Sequence, residues 1–75
     1  MKELIEFLAK SITTNPDAVV VTEENSDGRV IIRLEVSPED KGKVIGRQGR
    51  VAQSMRLLLR IAAVKDGSHA VLEIV

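Results

Sequence analysis

Seventy-five residues, 44% of them hydrophobic and 29% charged, suit one small ordered domain, because a chain this short buries only about 60% of its unfolded surface and has nothing left for a deep catalytic cavity. No cysteine is present, which excludes disulfides and thiolate metal sites. No apolar run approaches the roughly 20 residues of a membrane span and the opening Met-Lys-Glu-Leu is unlike a signal peptide, so a cytoplasmic protein with no membrane contact and no cofactor is expected. Eleven basic and eleven acidic residues cancel, yet positions 1–40 carry nine acids against four bases while positions 41–65 carry seven bases and no acid, so one side should be electropositive.

Leu4, Leu8 and Ile12, with Ile5 alongside, recur at helical spacing, and Phe7 is assigned to the buried side of that helix. Thr13-Thr-Asn-Pro-Asp17 stops it before Pro16. Valine-rich Ala18–Glu23 and Arg29–Val36 read as strands joined by Glu24-Asn-Ser-Asp-Gly28, a hairpin. Val30, Ile32, Leu34 and Val36 share one face of the second strand and Arg29, Ile31, Arg33 and Glu35 the other, so helices should cover the aliphatic face.

Ser37-Pro-Glu-Asp40 has the form of a helix start, with serine as N-cap, proline next and Glu39 and Asp40 as helix-start charge, opening a short helix toward Ile45. Arg50–Lys65 is helical again, Asp66-Gly-Ser68 ends it, and His69–Val75 is a last strand. The order is α-β-β-α-α-β. A crossover through two helices should make the second and third strands parallel, giving an α+β domain with a mixed three-stranded sheet covered on one face.

Between the last two helices lies Lys41-Gly-Lys-Val-Ile-Gly-Arg-Gln-Gly-Arg50. Two glycines three apart are by themselves only a turn that needs positive φ. Here they enclose Arg47-Gln48, follow Val44-Ile45 and are bracketed by Lys43 and Arg50, which no turn requirement explains. Small residues and cations at a helix start suit a phosphate backbone. The spacing fits neither the P-loop nor the dinucleotide fingerprint, which leaves RNA or single-stranded DNA as the expected ligand.

Val44-Ile-Gly-Arg-Gln-Gly-Arg50 resembles the signature of the KH domain, whose GxxG loop clamps about four nucleotides, and the element order resembles its type II form over nearly the whole chain. Among KH proteins it is most similar to the small bacterial stand-alone proteins of the KhpA type. That resemblance implies an RNA chaperone or post-transcriptional regulator linked to cell-shape and cell-wall homeostasis, acting as a homodimer or with a larger Jag-type KH partner. Carried over residue by residue, it implies that Gly46 and Gly49 let RNA lie against the loop, with Arg47 and Gln48 at its tip, Lys43 and Arg50 beside the phosphates and Ile45 facing an apolar base groove. Two departures bear on sequence preference. Ala52 stands where many KH domains have isoleucine, implying a shallower groove, and the hairpin turn, with Glu23, Glu24 and Asp27, is short and acidic where the family has its variable loop.

At about 100° per residue, Val51, Ala52, Met55, Leu58, Leu59 and Ala62 form the core arc of the long helix. Arg56 and Arg60, with Gln53 beside them, form a second arc with two open readings, an extension of the RNA track or a solvated face. Leu57, Ile61 and Val64 form a third, either a seam against a second copy or a stripe buried within the chain by helix tilt or by the first helix. His69, the only histidine, has no nucleophile or orienting group in sequence, so no enzyme is expected. The competing function is a protein-interaction module with little nucleic-acid affinity.

Overall fold

Alternation along the middle strand organises the molecule. The computed structural model describes residues 1–75, with helix α1 at Lys2–Ile12, strands β1 at Val20–Ser26 and β2 at Arg29–Glu35, helices α2 at Lys41–Ile45 and α3 at Arg50–Lys65, and strand β3 at His69–Ile74. β2 is central, antiparallel to β1 and parallel to β3. The mixed sheet and the element order are those expected. Val30, Ile32 and Leu34 turn to the helical side and are buried, as is Leu72 opposite Ile32 on β3. Each aliphatic side chain removed from water there contributes roughly 1.5–3 kcal/mol.

The helices supply the other half of the core through Ile5 and Ala9 of α1, Val44 of α2, and Ala52, Met55, Leu59 and Ala63 of α3. Two expectations fail here for one geometric reason. Phe7 is 69% exposed and Leu58 is 43% exposed. Phe7 lies two positions, about 200°, from Ile5, on the far side of the Ile5–Ala9 line, and Leu58 lies about 100° from Leu59 on the helix flank. The smaller Ala63, one turn on from Leu59, takes the buried place. Ile12, 39% exposed, likewise falls at the margin.

The hairpin is tighter than expected. β1 continues to Ser26, and only Asp27 (φ 51°) and Gly28 (φ 78°) make the turn, both left-handed as a two-residue hairpin joining twisted strands requires. Of the three acids assigned to the turn, Asp27 is in it, whereas Glu23 and Glu24 are strand residues with other partners. Glu23 Oε1 accepts the Lys2 N–H at 3.1 Å and lies 3.7 Å from the terminal ammonium, closing the first turn of α1. Glu24 pairs with Arg33 on the open sheet face.

Candidate nucleic-acid interface

The turn between α2 and α3 is built from three left-handed residues. The Gly46 N–H donates to the Gly42 carbonyl at 2.8 Å and ends α2. Gly46 itself adopts φ 79°, ψ 172°, a region closed to side-chain-bearing residues. One tight turn over Arg47–Gly49 follows, closed by the Gly49 N–H on the Gly46 carbonyl at 3.1 Å, with Gln48 at φ 57° and Gly49 at φ 74°.

The two glycines do different things. A Cβ on Gly46 would stand 2.8 Å from Val51 Cβ and 2.9 Å from the Val51 nitrogen, so the protein fills that space itself. A Cβ on Gly49 would meet nothing within 4 Å. The idea that both glycines open the loop to a ligand thus gives way to a division: Gly46 lets α3 close onto the end of α2, and Gly49 leaves the outer side clear.

Uncancelled charge gathers on this surface, since Lys41 to Lys65 holds seven bases and no acid. None of Arg47, Arg50, Arg56 or Arg60 is in an ion pair, whereas Arg33 on the open sheet face is held by Glu73 at 2.9 Å and Glu24 at 3.3 Å. The hydrogen bond and charge of Glu73, then Glu24, hold that guanidinium above its usual range. α3 starts without a side-chain cap and with no acid in its first turn, so the positive end of its dipole adds to the arginines. Arg50, Arg56 and Arg60 share one groove with Gln53, Ser54 and Leu57. Arg56 and Arg60 also wall a second cleft with His69, Ala70, Val71 and Leu72 of β3. β3 pairs only with β2, so its other edge is unpaired there.

The structure therefore brings the loop's Arg50 together with Arg56 and Arg60. Lys43 leans back toward Asp40, Nζ to Oδ1 3.9 Å, and Ile45, 39% exposed, lines neither groove. Reasoning from sequence missed the β3 edge, although a signal existed: a hairpin on one side of β2 and a parallel strand on the other leave β3 with nothing to pair with. Leu57, Ile61 and Val64 are 53%, 49% and 70% exposed, so neither helix tilt nor α1 buries them.

Asp40 departs most from its expected role. The Ser37 hydroxyl caps no helix and instead donates to Asp40 Oδ2 at 3.0 Å. A short 3-10 turn, Pro38–Asp40, precedes α2, and Asp40 is fully enclosed rather than a surface charge. Its carboxylate also accepts the Thr14 N–H at 3.0 Å, the Thr14 hydroxyl at 2.7 Å and the Asn15 N–H at 3.0 Å. The Thr14 backbone and side-chain hydrogen bonds, with burial opposing them and the Asn15 and Ser37 bonds adding, lower its pKa from 3.8 to about 2.

No helix is long and apolar enough to cross a membrane. The family model described as the KhpA/KhpB KH domain matches residues 2–74. The chain is 48% identical over all 75 residues to the RNA-binding protein KhpA of Caldanaerobacter subterraneus subsp. tengcongensis and 47% identical to that of Clostridium acetobutylicum, in each case covering 100% of both chains. Among solved structures it resembles Era of Aquifex aeolicus bound to GDP.AlF4- (TM-score 0.62) at 19% identity, over 97% of this chain and 28% of Era. It also resembles Era in complex with MgGDPNP and nucleotides 1506-1542 of 16S ribosomal RNA (TM-score 0.56), with the same identity and coverage; at that identity the likeness speaks for the fold. A GxxG turn between two helices, set on this sheet and matched along nearly the full length, places the chain in the KhpA/KhpB family of KH domains.

Proposed function

We propose that this chain binds single-stranded RNA, with the sugar-phosphate backbone resting on the Gly46–Gly49 turn and the strand continuing past Arg50 along Arg56 and Arg60 toward the edge of β3. The observation that carries this reading is the row of unpaired arginines leading away from a turn whose outer side, at Gly49, is open. Unpaired guanidiniums release counterions when they meet phosphates, and an unpaired strand edge offers donors and acceptors to bases. The full-length relatives carry the name RNA-binding protein, which fits. The sole aromatic residue, Phe7, is on α1, so bases would lie against aliphatic walls, and weak binding with little base preference is expected.

Family resemblance extends the reading to an RNA chaperone or regulator in the cytoplasm with a part in cell-shape homeostasis, working as a homodimer or with a Jag-type KH partner. The exposed Leu57–Ile61–Val64 stripe supports self-association, centred on Ile61 with Leu57 at its border with the arginine groove, because three apolar side chains on one face of so small a domain are better covered than wetted. Two copies would present two loops to one strand. Filter binding of single-stranded RNA to wild type and to the double variant Arg47→Asp, Gln48→Asp tests the first claim: retention should fall sharply in the variant. Equal retention would favour an interaction module. Ile61→Asp tests the second, since it should halve the sedimentation mass of a dimeric wild type.

A further inference from the structure

α2 is five residues long with Gly42 inside it, too short to hold itself together in water. Its direction, and with it the GxxG turn it carries, must come from outside. Two anchors are visible along its length: Val44, fully buried in the core, and Asp40, fully buried at its base. Asp40 is the unusual one. A carboxylate stripped of water is costly unless every oxygen is satisfied, and this one takes four donors from two segments, Thr14 and Asn15 of the α1–β1 connection and Ser37 just beyond β2.

A helix start needs no such arrangement, since an exposed acid serves the dipole equally well. Donors 25 and 26 residues away instead join the base of α2 to the far end of α1. Asp40 and Gly46 are six positions apart, about 9 Å along a helix, so a small tilt at the clamp is carried directly into the turn. We infer that Asp40 is the positioning residue of the GxxG loop, and that through it the connection at Thr14–Asn15, which lies outside the proposed RNA track, controls RNA affinity. This rests on the RNA-binding reading of the loop and adds a remote control to it.

The test compares wild type, Asp40→Asn and Thr14→Val with Arg47→Asp, Gln48→Asp as the control. Asp40→Asn keeps the shape but exchanges one acceptor oxygen for donors. Thr14→Val removes one hydroxyl, keeps the backbone N–H bond and alters an exposed residue, so it should fold even if the Asn variant does not. Anisotropy with a mixed-sequence single-stranded RNA oligomer should show affinity down roughly two- to thirtyfold in Asp40→Asn and less in Thr14→Val. The dependence on salt should be unchanged in both, because the phosphate contacts are the same in number. Hydrogen exchange of the amides from Gly46 to Val51 should quicken relative to those of β2. Folded variants with wild-type affinity and wild-type loop exchange would overturn the inference. If instead Arg47→Asp, Gln48→Asp leaves binding intact, the RNA-binding reading fails; loop exchange in Asp40→Asn then decides the positioning role separately.

Discussion

The molecule contains two left-handed turns of nearly the same backbone, and only one reads as a site. Asp27-Gly28 joins β1 to β2 at φ 51° and 78°, and Gln48-Gly49 leads into α3 at φ 57° and 74°. Both Gly28 and Gly49 have open space where a side chain would be. The difference lies in what surrounds them. The hairpin turn sets one acid, Asp27, beside one base, Arg29, and farther along its strands Arg33 is held by Glu24 and Glu73, whereas the helix turn lies in a stretch, Lys41 to Lys65, of seven bases and no acid, and it begins a helix dipole. A GxxG spacing is thus a statement about backbone, and function enters with the unmatched charge and with the extra glycine, Gly46, that lets two helices meet.

The largest effect expected within this comparison is at Gly46. Gly46→Ala must both enter a forbidden backbone region and collide with Val51, costing about 3 kcal/mol or more. Gly49→Ala and Gly28→Ala meet only the left-handed penalty, about 1–2 kcal/mol each. Urea melts of the three variants check the order, and a Gly46→Ala protein no weaker than the other two would remove the distinction between the glycines.

Acid gives the next effect. The folded pKa of Asp40, about 2, lies below its ordinary 3.8, so the unfolded chain takes up the proton first. The stabilisation is fully present above about pH 4 and is lost as pH falls toward 2. Thermal melts between these limits should fall more steeply for wild type than for Asp40→Asn; parallel curves would mean that the carboxylate is not held as described.

The smallest effect concerns neighbours. Thr13 Oγ1 is buried with no partner, while the Thr14 hydroxyl is spent on Asp40. Thr13→Val should be neutral or stabilising by up to about 1 kcal/mol, and Thr14→Val destabilising. Chemical denaturation that gave both the same sign would refute the assignment.

Much of this architecture could be read from the chain. Arg50–Lys65 was expected as a helix and has those bounds, and the alternation in Arg29–Glu35 correctly predicted the covered face of β2. The loop residues were legible because composition and backbone requirement coincide in seven consecutive positions. What escaped was decided across space. Asp40 looks like an N-terminal charge because its local sequence is Ser-Pro-Glu-Asp, and nothing nearby announces donors at Thr14 and Asn15. Glu23 and Glu24 look like turn residues until the strand pairing carries β1 on to Ser26. Phe7 is expected inward, but the helical phase set by Ile5 and Ala9 turns it to solvent. The β3 edge joins the candidate site only once α3 is laid against the sheet.

The salt dependence of RNA affinity tests the central claim most directly. With two to four phosphates neutralised by the turn and its arginines, log affinity should fall against log salt with a slope of about −1.4 to −2.8, and Arg50→Gln should make it shallower by about 0.7. Self-association through Ile61 should scarcely respond to the same salt series. RNA binding that is absent at low salt, or present with a flat slope in wild type, would contradict the account.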